Sequence, residues 1–167
     1  MLTYRTCDGR VLDLSCLTEE ERQHFERAYQ AYRNGMAAPS FSNEMVHGMA
    51  NPLVGRAGGW VTREVYRHPL FQALRDLEDR LGLAQGYLEP AGEDLSDPLE
   101  DEWIPAPEAA RRKGVTLMGL HNAIRRGDVI ARPAKPGGRR LLVSCNSLGA
   151  WKIDEVRQAN AKARAPT

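Results

Sequence analysis

Two glutamate–histidine pairs, Glu21-x-x-His24 and Glu44-x-x-His47, have the i, i+3 spacing from which carboxylate-bridged di-iron bundles take their ligands. Such a site needs four long helices and two further inward glutamates. The segment around His47 is too rich in glycine and proline to supply one, so the pairing is expected to be coincidental in a glutamate-rich half. His68, just before Pro69, is expected at the surface. Cys7, Cys16 and Cys145 have no Cys-x-x-Cys spacing and are expected as reduced thiols, with a Cys7–Cys16 bridge as the minor alternative. No HExxH, no glycine-rich loop followed by Lys-Ser/Thr and no grouping of Ser, His and Asp is present. The expectation is a protein that is not an enzyme, with no catalytic residue, no metal and no cofactor. A metal-dependent enzyme using the two Glu/His pairs is the alternative it displaces.

The elements that position these residues can be read from periodicity and punctuation. "LTYRT" and "RVLDL" alternate apolar and polar residues around Asp8-Gly9, which predicts an N-terminal hairpin over residues 2–14. Thr18 and Glu21 form a capping box, and Phe25, Ala28, Tyr29 and Tyr32 repeat at helical spacing up to Gly35. Residues 36–60 read as loop with one short helical turn near 42–48. A second helix is predicted from about 69 to 81, with Pro69 in its first turn, Leu70, Ala73, Leu74, Leu77 and Leu81 as its stripe, and Gly82 as its stop.

Residues 89–102, "EPAGEDLSDPLEDE", are acidic with almost nothing to bury and read as a linker. Beyond it, Trp103 and Ile104 are apolar, Pro107 suits a helix start, and Gly114 suits a left-handed stop. Thr116 is a fitting N-cap for a helix over 117–126 that Gly127 closes. In that helix Leu120, Ala123 and Ile124 share one face, while Met118, His121, Asn122 and Arg125 share another. "DVIAR" and "RRLLV" then make a second hairpin, with Arg132, Lys135, Arg139 and Arg140 crowding its tip. Ser144 can cap a final helix in which Leu148, Trp151 and Val156 face inward.

The order is helix, glycine-containing turn, helix, basic hairpin, helix, an arrangement in which the second helix enters the major groove of DNA. Residues 103–151 resemble the winged helix-turn-helix DNA-binding domain of the MerR and excisionase type. The resemblance rests on Glu108-Ala109-Ala110-Arg111, Gly114-Val115-Thr116, Ile124-Arg125-Arg126-Gly127-Asp128, Ala131, Arg140, and the spacing Ser144…Leu148…Trp151. It implies that Thr116, Leu117, Met118, His121, Asn122 and Arg125 present the reading helix to base edges. Arg126, Arg132, Lys135, Arg139 and Arg140 would meet phosphates. Asn pairs bidentately with adenine, Arg with guanine, and Met or Leu touches a thymine methyl. Residues 1–102 resemble no family.

Charge follows the same division. The formal net charge of +1 conceals 10 Arg/Lys against 18 Asp/Glu in residues 1–102, and 13 against 4 in residues 103–167. Dense positive charge attracts polyanions. The expected architecture is mainly α with small β: an N-terminal α+β module of a hairpin and two helices (1–88), an acidic linker (89–102) and a winged helix-turn-helix domain (103–167). The expected partner is double-stranded DNA, in the cytoplasm and without membrane attachment. A homodimer, if formed, is placed in residues 1–88, through the hairpin edge or the helix carrying Leu70–Leu81; a protein partner for that module is the other option. The linker acids are further expected to occupy the basic surface when DNA is absent. The alternative function is a protein-interaction adaptor or antitoxin, for which Leu117-Met118-Gly119-Leu120 would be a protein-contact surface.

Overall fold

A computed structural model describes residues 2–153. The chain is mainly α with small antiparallel sheets, and it divides into two compact units, Met1–Glu100 and Asp101–Thr167. The last predicted helix ends at Ala150, short of Trp151, and Val156 lies outside the described residues.

The first unit begins with strands β1 (Thr3–Arg5) and β2 (Val11–Asp13), paired with Tyr4 opposite Leu12. Gly9, at φ +87°, supplies the left-handed residue of the turn. Helix α1 (Glu19–Arg33) opens with the Thr18/Glu21 capping box, and helix α5 (Pro69–Ala84) packs against it. Tyr4, Phe25, Phe41, Phe71, Leu70, Leu74 and Leu77 form the centre of the core, all essentially without solvent contact. Helix α5 runs through Gly82 to Ala84 instead of stopping there, and its leucine stripe is consumed inside the unit. That stripe is therefore no dimer face.

Residues 36–60 are not mainly loop. They hold α2 (Ala38–Phe41), a π-helical turn (Ser42–Val46) and α3 (Pro52–Arg56), and α4 (Arg63–Arg67) follows. Each piece is too short to show helical periodicity, and the prolines sit at helix starts, where a missing N–H costs nothing. Phe41, Val46, Leu53 and Val54 anchor the pieces in the core. Buried Asn51 ties two of them together: its Nδ2 donates to Val46 O at 2.8 Å while its Oδ1 accepts from Leu53 N at 3.0 Å. A Cβ at Gly48 would collide with the Asn43 carbonyl, so only glycine closes the π turn.

The acidic stretch is also unlike the expectation of a free linker. Asp94 N donates to Cys7 O (3.0 Å), Arg5 N to Pro98 O (2.8 Å) and Arg80 Nη1 to Ser96 O (2.8 Å). Residues 94–99 therefore lie along the first unit as a strap, with Pro98 buried.

The second unit has a three-stranded sheet in the order β3 (Trp103–Pro105), β5 (Leu141–Ser144), β4 (Ala131–Pro133), all antiparallel. Strand β3 was not expected; three residues ending in proline give no alternation to read. Helix α6 (Ala106–Lys113) ends at Gly114, φ +71°, and α7 (Leu117–Arg126) ends at Gly127, φ +80°. Helix α8 (Cys145–Ala150) starts at the Ser144 cap, whose Oγ accepts from Ser147 N at 3.1 Å. Ala109 and Ala110 let α6 approach Leu120 and Ala123 of α7 closely, and Ile104, Val129, Val143 and Leu148 complete this second core. No helix among the described residues is long and apolar enough to cross a membrane.

Candidate nucleic-acid interface

Glu21 and His24 both have structural partners. Glu21 is buried, its carboxylate accepts from Thr18 N at 3.0 Å, and it pairs with Arg56. His24 is buried with Nε2 2.8 Å from Met45 O, and an Arg27 guanidinium nitrogen lies 3.3 Å from its Nδ1. His68 is not a plain surface residue: its Nδ1 caps α5 by accepting from Leu70 N at 3.2 Å, and its Nε2 lies 3.9 Å from Glu21. Among the described residues, no three His, Cys, Asp or Glu side chains gather as metal ligands would.

All three cysteines are free, so no Cys7–Cys16 bridge forms. Burial pushes the Cys7 thiol up to about 12, reinforced by the Asp76 carboxylate, which keeps it protonated and a poor nucleophile. Cys7 lines a polar cleft of about 350 Å³ with Asp8, Arg10, Tyr66, Gln72 and Asp79.

The second unit presents the other candidate residues. Thr116 Oγ1 accepts from Gly119 N at 3.0 Å and so satisfies one of the free amide groups that open α7. Val115 packs on the core and fixes the turn. From there α7 buries Leu120 and Ala123 and leaves Leu117, Met118, Asn122, Arg125 and Arg126 exposed, with His121 half-buried. Leu117 is 43% and Met118 67% exposed, although both are apolar.

The cations divide into engaged and free groups. Arg125 Nη2 donates to Asn122 Oδ1 at 2.7 Å, a contact that leaves the positive charge intact. Arg126 instead pairs with Asp128, Nε to Oδ2 at 2.9 Å, and must give up that pair to meet a phosphate. Exposed pairs of this kind contribute about 0–1 kcal/mol, so the exchange is cheap. On the hairpin, Arg132 is half-buried and its Nη1 donates to Ala131 O at 2.8 Å. Lys135, Arg139 and Arg140 are exposed, and no carboxylate among the described residues pairs with them. The loop carrying them is closed by Ala134 N to Arg140 O and Gly138 N to Lys135 O, both 2.8 Å.

Arg111 was missed by sequence reasoning. Within the run Arg111-Arg112-Lys113, Arg112 is held by Glu108 at 2.6 Å, and Lys113 Nζ donates to Leu148 O at 2.8 Å and lies over the Trp151 ring. Only Arg111 of the three is exposed without such a partner. Nothing in three adjacent basic residues distinguishes the free one before the contacts are known.

Of the acids expected to cover the basic surface (Glu93, Asp94, Asp97, Glu100, Asp101 and Glu102), four have partners within their own units. Asp94 pairs with Arg5, and Asp97 with Arg33 and the Tyr29 hydroxyl. Asp101 accepts from the Ser144 hydroxyl and from Asn146 N, and Glu102 pairs with Arg112. These four are structural acids of their own units.

The chain matches no protein-family model, no curated protein and no solved structure.

Proposed function

We propose that the chain is a non-enzymatic DNA-binding protein whose second unit is a winged helix-turn-helix of the MerR and excisionase type. It acts as a transcriptional regulator or an excisionase-like architectural factor. Helix α7 reads the major groove, and the β4–β5 hairpin is the wing on the sugar–phosphate backbone. The observation that carries this reading is the face of α7: a helix capped at both ends that buries Leu120 and Ala123, packs Ile124 beside them, and offers Met118, Asn122, Arg125 and Arg126 to solvent. Lys135, Arg139 and Arg140, free of carboxylates, supply the sequence-independent part of the attraction. The first unit serves as the partner-binding or self-associating half; Met49, Trp60, Val61 and Tyr66 are its exposed apolar residues in the 49–66 segment.

A gel shift of the intact protein against random-sequence duplex at low salt tests this. Binding that weakens steeply with salt supports it. The exposure of Leu117 and Met118 favours one competing reading, an adaptor whose α7 meets protein instead. An adaptor shows no shift.

A further inference from the structure

The pairing of Asn122 with Arg125 changes what α7 can recognise. A bidentate contact to adenine needs both the amide oxygen of asparagine, to accept from N6, and its amide nitrogen, to donate to N7. Arg125 Nη2 already donates to Asn122 Oδ1 at 2.7 Å, and no carboxylate among the described residues pairs with it. That occupies one of the two acceptor positions of the oxygen on which adenine recognition depends and ties the amide to its neighbour. Arg125 gives up one of its five N–H donors and keeps enough for both acceptors of a guanine edge, O6 and N7. Held by its neighbour, the guanidinium loses less rotamer freedom when it binds.

Met118, Asn122 and Arg125 are spaced i, i+4, i+7 and form one stripe of α7. Met118 has no hydrogen-bonding role and, among the described residues of its unit, is the most exposed large apolar side chain. The one apolar feature of the major-groove edge is the C5 methyl of thymine. From Met118 to Arg125 the helix rises about 10 Å, close to the rise of about three base pairs.

Resting on the reading of α7 as a duplex-reading helix, we infer that this face selects a guanine, bound by Arg125 with Asn122 as its positioning residue, together with a thymine methyl, covered by Met118, within about three base pairs. Leu117, also exposed, widens the apolar contact.

The test begins with selection of preferred duplexes from a random pool by the intact protein, followed by single-atom changes in the selected site. Replacing the contacted thymine by deoxyuridine removes only the methyl and is expected to weaken binding roughly threefold to fivefold, the worth of one buried methyl. Met118→Ala should bind the two duplexes alike. Replacing the guanine by 7-deazaguanine should cost about tenfold with the native protein and little with Arg125→Ala. Asn122→Ala should erode the same guanine preference and add nothing to Arg125→Ala, whereas a merely structural asparagine would weaken all duplexes equally. Tolerance of deoxyuridine at every thymine, or an Asn122→Ala effect that falls on an adenine independently of Arg125, overturns the inference while leaving duplex binding in place. Failure to bind any duplex at low salt overturns the underlying reading as well.

Discussion

His24 shows how one buried side chain ties stability to pH. Its neutral ring has Nε2 against Met45 O and Nδ1 against Arg27, an arrangement that suits a proton on Nε2 only. Desolvation, and then the Arg27 charge, lower its pKa from the ordinary 6.5. The folded state therefore binds this proton less readily than the unfolded chain, and stability falls as pH drops through 6.5 toward the lower folded value. Glu21, held low by Thr18 N and Arg56 once its burial is overcome, loses its contribution only below the ordinary carboxylate range. Urea unfolding should thus show a decline between about pH 7 and pH 5 that His24→Gln flattens; an unaltered profile in that variant would contradict the assignment. Asp76 anchors a buried ion pair in the same unit. It accepts from the Tyr4 hydroxyl (2.7 Å), Cys7 N (2.7 Å) and Arg80 Nε (2.6 Å) in a buried ion pair. Asp76→Ala strands the Arg80 guanidinium and should cost about 3–5 kcal/mol in urea unfolding, where a loss below about 1 kcal/mol would be a surface-pair value. The Tyr4–Asp76 and His24–Met45 contacts are not visible in sequence, because they join residues 72 and 21 positions apart. The glutamate–histidine spacing that is visible belongs to a capping box and a backbone contact.

At the scale of elements, α7 depends on its ends. Thr116→Ala removes the bond to Gly119 N and should cost about 1 kcal/mol of stability, measured by thermal unfolding. Duplex affinity should fall further, because Leu117 and Met118 sit in the turn that frays first. Equal stability and equal affinity would show that the cap is idle. Helices α1, α5, α6 and α7 and both hairpins were legible, since caps, glycine stops and period carry that information over ten residues or more. The short helices α2 and α3 were not, because each offers one or two anchors and no repeat, whereas the turn expected near 42–48 is the π-helical one at Ser42–Val46. Strand β3 owes its state to β5, where Ile104 faces Val143. The strap at 94–99 likewise owes its order to Arg5, Arg80 and Tyr29, which no local reading of acidic residues can supply. On α7 the spacing separated the inward from the outward face, yet it could not show that Asn122 is committed to Arg125.

The whole molecule couples an acidic unit to a basic one, and that division was readable from charge alone. Exposed Lys135, Arg139 and Arg140 are part of the basic unit's excess, whereas Asp94 and Asp97 of the strap are paired within the first unit. On the proposed reading, long-range attraction to a polyanion would therefore originate in the second unit. Self-association, if it occurs, must use surface other than the buried leucines of α5. Fold likeness alone does not assign function, so the decisive quantity is one that only a polyelectrolyte partner produces. That quantity is the salt dependence of duplex binding by the intact protein, compared with its Arg139→Ala/Arg140→Ala double variant. With about four to six phosphate contacts, log K should fall against log salt with a slope of roughly −4 to −5, and the double variant should be shallower by about 2. A slope that the double variant leaves unchanged, or no duplex binding at about 50 mM salt, would contradict the account.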